Sequence, residues 1–143
     1  MRYKSVIIQK FIGLLIKRGK KEKAVIMFEN LLSFLKRQKH ERPLMLLIQS
    51  LKILKPEFVL LKMGRKRKPI FLPKVLNLEN QYKQSMNWII KFSRKKKNDS
   101  FQNVLNQEAL NILMKRGEAL KERNNVYKLL LNSRPYLYLT KWN

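Results

Sequence analysis

The sequence predicts a mainly α protein: a single six-helix domain with one β-hairpin protruding between the third and fourth helices. Three observations lead there. Apolar residues recur at the helical period in successive blocks along the chain. Residues 56–76 abandon that period for two short β-prone runs around a basic loop. Finally, 45% of the 143 residues are hydrophobic, although 33 Lys and Arg against nine Asp and Glu leave a net charge of +24. A disordered basic tail would be too poor in Leu, Ile and Phe to fold, whereas this chain has the material for a core.

The elements follow in order. Ile8, Phe11, Ile12 and Leu15 share one face of a first helix near residues 5–18, which Gly19 ends. A second helix near 21–38 has the stripe Val25, Phe28, Leu32 and Leu35. Pro43 suits the first turn of a third, near 43–54, with Leu44, Leu47, Ile48 and Leu51 inward. Lys55-Pro56 stops it, because a residue before proline is pushed out of the helical region. Phe58-Val59-Leu60-Leu61 and Ile70-Phe71-Leu72 then form the hairpin, about 56–76, whose tip is basic. Pro56 and Pro73 are tolerated there because a two-stranded ribbon has free edges.

A fourth helix near 79–96 turns Tyr82, Met86, Ile89 and Ile90 inward. Asn98-Asp99-Ser100 caps a fifth, near 100–115, whose inward residues are Phe101, Val104, Leu105, Ala109, Ile112 and Leu113. Gly117 punctuates before a sixth helix near 118–133 with Val126, Leu129 and Leu130 on its stripe. From Arg134-Pro135 the chain is aromatic and irregular.

Composition excludes much chemistry. There is no cysteine, so neither disulfides nor thiolate–zinc sites are available. One histidine, His40, and one aspartate, Asp99, are too few for a catalytic or metal constellation. His40 lies in a basic run and reads as a solvated loop residue. The expectation is a protein without enzymatic activity, cofactor, metal or small-molecule substrate. Leu44 to Met63, the longest apolar stretch, is broken by Gln49, Lys52, Lys55, Pro56, Glu57 and Lys62, so no membrane span is expected. Met1 to Lys21 lacks acids and is amphipathic, as a mitochondrial transit peptide would be. It is poor in Ser and Arg and runs without a break into the next segment, which reads as a retained first helix.

The charge is clustered. Arg18, Lys20, Lys21 and Lys23 surround the first interhelical turn; Arg65, Lys66, Arg67 and Lys68 make the hairpin tip. Arg94, Lys95, Lys96 and Lys97 end the fourth helix, and Lys115, Arg116, Lys121 and Arg123 flank Gly117. Each cluster alone reads equally well as a solvated face. Four of them in turns, with few acids between, point to phosphate contact and to a folded RNA recognised by shape. Two other readings compete. The turns at Gly19 and Gly117 could belong to a helix-turn-helix DNA-binding regulator, but no helix gathers Asn, Gln and Arg on one base-reading face. Residues 1–21 could instead lie on an anionic membrane.

The order of features resembles the small-subunit ribosomal protein seven family, bacterial type. The resemblance rests on Ser5, Ile7, Lys10-Phe11-Ile12, Gly19-Lys20-Lys21 and Met27-Phe28 at the start of the chain. It continues through Lys55-Pro56, the basic hairpin, Pro73-Lys74-Val75, Met86-Asn87-Trp88-Ile89-Ile90 and the run from Arg94 to Lys97. Asn106-Gln107-Glu108, Gly117, Arg123 and Trp142 complete it. Departures include Leu31, where the family has a small residue, and Lys66-Arg67, where it has a Gly pair. Asn77, Asn80 and Gln81 replace arginines.

The resemblance implies a structural rRNA-binding protein that nucleates assembly of the small-subunit head by clamping a junction in the 3′ major domain. Its partners would be small-subunit rRNA and neighbouring ribosomal proteins, with transient approach to tRNA and mRNA. By position, Lys20, Lys21, Arg94, Lys95, Lys96 and Arg123 would contact rRNA. Arg65 to Lys68 would approach exit-site tRNA or neighbouring rRNA, and Trp88 would support the core. Abundant Lys, Asn, Ile, Leu and Phe draw on AT-rich codons. With the short amino-terminal arm and a stop one residue after Trp142, that bias suggests an organellar member, mitochondrial first and plastid as the alternative.

Overall fold

A computed structural model describes residues 2–40, 42–63 and 70–132. Its helices are α1 (Arg2–Leu15), α2 (Lys21–Lys39), α3 (Pro43–Leu54), α4 (Leu78–Lys95), α5 (Phe101–Leu113) and α6 (Glu118–Asn132). Two antiparallel strands, β1 (Phe58–Met63) and β2 (Ile70–Val75), lie between α3 and α4. The mainly α architecture with its hairpin is therefore as the periodicity predicts. The hairpin tip (Arg65, Lys66, Arg67 and Lys68), the Arg134-Pro135 tail and Trp142 lie outside the described residues.

Local chemistry sets the boundaries. Pro43 opens α3, and the Lys55 N–H closes it on the Leu51 carbonyl at 2.9 Å before the chain extends into Pro56. Asn77 caps α4 by accepting from the Asn80 N–H at 2.9 Å, and Gln81 donates to the Leu76 carbonyl at 2.9 Å. The side-chain amides of Asn77 and Gln81 thus secure the start of the helix. Ser100 caps α5 as expected, with Asp99 accepting from the Ser100 N–H at 2.7 Å and from the Asn103 amide at 3.2 Å. His40 is exposed and takes the left-handed conformation that ends α2, φ +51°. In the hairpin register, Leu60 pairs with Pro73 and Met63 with Ile70.

The core centres on α5, which packs against α2, α3, α4 and α6. Its Leu105, Ala109 and Ile112 are fully buried. α1 packs on α2 and α4, and Phe11 meets Phe28 with ring centroids 5.6 Å apart. Trp88 is buried, as core packing required.

Several expected stripes are rotated. On α2 the buried set is Ala24, Phe28, Leu31 and Leu35, with Val25 and Leu32 only half-buried. Leu31 is completely enclosed. On α3 Leu46, Leu47, Leu51 and Leu54 are buried, while Leu44 and Ile48 are half-buried, because this helix meets α2, α4, α5 and α6 at once. On α6 the buried residues are Ala119 and Leu120; Val126 is half-buried and Leu129 is 45% exposed. α6 enters the core with its first turn and then runs beside the strands; Val126 still packs against the core, whereas Leu129 and Leu131 are exposed. α1 also ends earlier than expected, at Leu15, because the reversal into α2 uses Arg18 and Gly19 together at φ +57° and +73°. Among the described residues no helix is long and apolar enough to cross a membrane. Nor do they hold a His, Cys, Asp and Glu group fit for a metal.

Candidate nucleic-acid interface

The first basic cluster is built by the α1–α2 reversal. A left-handed conformation costs an arginine about 1–2 kcal/mol, so Arg18 is held there by the need to start α2 at Lys21. The turn makes Lys17, Arg18, Lys20 and Lys23 line one concavity of about 250 Å³, floored by Leu15 and Met27. Among the described residues no side chain caps α2, so the positive end of its dipole adds to the same place. Lys21 is exposed beside it.

Geometry joins this cluster to the end of α4. Arg94 reaches back to the carbonyls of Leu14 and Leu15, at 3.5 and 3.4 Å, and lies 5.9 Å over the Phe101 ring. It therefore ties the end of α1 to α4 and α5, and the exposed Lys95, Lys96 and Lys97 follow directly on from that junction. Lys96 pairs with Glu118 at 3.4 Å. Such an exposed pair contributes at most about 1 kcal/mol, but it places the start of α6 next to the end of α4.

The third cluster is positioned by a buried acid. Glu108, 3% exposed on α5, accepts the Ala119 N–H at 3.1 Å and so caps α6 from another helix. Gly117 allows this approach: a Cβ there would stand 2.7 Å from the Glu108 Oε1, and φ is +115°. The turn leaves Lys115, at φ +59°, and Arg116 exposed, with Lys121 on the first turn of α6. Arg123 departs from this group. It is half-buried and donates through Nη1 to the Ile53 carbonyl at the end of α3.

Between the second and third clusters runs a polar groove of about 530 Å³ that the charge pattern does not reveal. Asn98, Asn103, Gln107 and Asn111 line it, with Asp99 and Glu118 at its sides. The signal in the sequence was the four-residue spacing from Asn103 to Gln107 to Asn111, which puts three amides on one face of α5. The turn clusters thus occupy one end of the body, whereas the hairpin springs from the other end of α4. Eighteen residues of helix separate them, about 27 Å.

Sequence comparison finds relatives that match most of the chain. The family model for ribosomal protein S7p/S5e matches residues 1–134. Small ribosomal subunit protein uS7 of Carsonella ruddii is 24% identical over 135 residues, covering 94% of this chain and 86% of that one. Protein uS7c of Pleurastrum terricola is 23% identical over 134 residues, covering 94% and 87%. Protein uS7 of Protochlamydia amoebophila (strain UWE25) is 26% identical over 141 residues, covering 98% and 89%. The resemblance read from the glycine–lysine turn, the basic hairpin and the Trp88 helix thus extends over nearly the whole chain, which belongs to the ribosomal protein S7p/S5e family.

Proposed function

We propose that this protein is a structural component of the small ribosomal subunit that binds its rRNA through the three turn clusters. The observation that carries the reading is their convergence: cations from residues 17–23, 95–97 and 115–121 reach one end of a body whose family is ribosomal. Ten described side chains supply the charge: Lys17, Arg18, Lys20, Lys21, Lys23, Lys95, Lys97, Lys115, Arg116 and Lys121. They sit on turns and helix ends, which suits the shape and backbone of converging RNA helices. A duplex read by one recognition helix would call for a different pattern, with polar residues along a helix face.

The mechanism is electrostatic positioning. If eight phosphates are neutralised, log K falls against log[salt] with a slope of about −6, so affinity drops ~10³–10⁴-fold between ~50 and ~200 mM salt. The amides of the α5 groove add hydrogen bonds to ribose hydroxyls and base edges, which carry no such slope. On this reading the protein nucleates the head of the subunit at a junction in the 3′ major domain. The hairpin, with Arg65 to Lys68 at its tip, approaches exit-site tRNA and the mRNA path. The AT-leaning composition supports an organellar ribosome, mitochondrial before plastid.

Crosslinking in intact cells, followed by sequencing of the bound RNA, tests all of this together. One dominant site in the 3′ part of a small-subunit rRNA is expected, and that sequence identifies the compartment. A protein found only in ribosome-free fractions, with dispersed crosslinks, rules the reading out.

A further inference from the structure

We propose that Arg123 is a positioning residue that fixes the root of the hairpin, and that it does not neutralise a phosphate. By sequence it belongs with Lys115, Arg116 and Lys121. On the helix it lies about 200° round from Lys121, and this turns it from solvent toward α3. There its Nη1 donates to the Ile53 carbonyl, one of the last carbonyls of α3, which have no partner within the helix. Its Nε is buried without a hydrogen-bond partner among the described residues, so a polyanion has no access to that side of the guanidinium.

One turn further along α6, Tyr127 completes the clamp. Arg123 lies 5.7 Å over its ring, and the Tyr127 hydroxyl accepts the Glu57 N–H at 3.3 Å. Glu57 in turn accepts the Leu76 N–H at 3.1 Å, closing the base of the two strands. The chain of contacts runs from the end of α3 through Arg123 and Tyr127 to both sides of the hairpin root. A planar fork is needed to bond a carbonyl while stacking on a ring, and lysine lacks one. The inference rests on the proposed RNA face only for its binding readout.

The test compares Arg123→Met and Arg123→Lys with Lys20→Met in the full-length chain. Three quantities are measured: the salt dependence of binding to a transcript of the 3′ domain of small-subunit rRNA, the thermal midpoint of the free protein, and a label-to-label distance. The labels are nitroxides on Lys74→Cys and Glu29→Cys, the only cysteines in a chain that otherwise has none. Both Arg123 variants should keep the parent salt slope, lower the midpoint by roughly 5 °C and broaden the distances between hairpin and body. Lys20→Met should instead lose ~0.7–0.9 of slope, with midpoint and distances unchanged. A slope loss of that size in Arg123→Met, restored in Arg123→Lys while midpoint and distances stay at parent values, overturns the proposal. If Arg123→Met does not fold, Arg123→Lys decides: a parent midpoint with narrow distances refutes the clamp. If Lys20→Met keeps the full slope, the proposed RNA face fails, and the midpoint and distances still judge Arg123.

Discussion

Replacing Gly117 with alanine brings two separable costs onto one residue. Its φ of +115° lies where side chains are strained, at about 1–3 kcal/mol. The new Cβ would also stand 2.7 Å from the Glu108 Oε1, closer than such contacts occur. Glu108 is only 3% exposed, and moving its carboxylate clear of the new Cβ pulls it off the Ala119 N–H. Losing a cap of this kind costs about 1–2 kcal/mol, and the sum is about 3 kcal/mol. Urea unfolding followed by circular dichroism, at fixed ionic strength, measures it. Gly13→Ala is the matched control: within α1 its Cβ meets nothing within 4 Å, so it should stabilise by about 0.5–1 kcal/mol. A Gly117→Ala loss below about 1 kcal/mol, the range of ordinary surface changes, would refute the account of Glu108 as the cap of α6.

Other perturbations read other parts of the molecule. Lys20→Met with Lys23→Met removes two cations from the α1–α2 concavity and should flatten the RNA-binding salt slope by ~1.4–1.8, without shifting the urea midpoint. Leu31→Ala empties a fully enclosed site in the hydrophobic core and should cost about 2–5 kcal/mol in the same unfolding assay. Gln107→Ala with Asn111→Ala should weaken RNA binding equally at every salt concentration, a parallel shift with no change of slope. Glu79 accepts a hydrogen bond from Lys10, and that bond, with the charge of Lys10, holds its carboxyl below the ordinary value of 4.5. A depressed folded-state value means stability present above the unfolded value and lost as pH falls through the folded one. Glu79→Gln should therefore narrow the stability difference between neutral pH and pH below 4.5; an unchanged acid limb in pH-dependent thermal melts would contradict it.

Elements with local signals were legible in the sequence. Pro43, Lys55-Pro56, Asn98-Asp99-Ser100 and Gly117 act within a few residues of themselves, and they set the boundaries of α3, α5 and α6 to within a residue or two. Stripes were less secure because a helix touched on several sides has no single inward direction. α3 buries Leu46 and Leu54 as well as the expected Leu47 and Leu51 for that reason. The candidate site was legible as charge and not as geometry. Arg94 and Arg123 look like members of basic runs, yet each reaches a helix end roughly seventy or eighty positions away in the chain. Glu108 gave no sign of capping α6, since a lone acid at that spacing fits a solvated helix face equally well.

The unbroken course of α4 has a mechanical consequence. One end begins at the hairpin, with Asn77 as its cap, and the other carries the lysines that follow Arg94. Over about 27 Å of rigid helix, a tilt of only 5° at the basic end moves the hairpin end by about 2 Å. Seating error at one end is therefore magnified into misalignment at the other. A ribosome that needs the hairpin placed to within a bond length must hold the far end of α4 to within a few degrees.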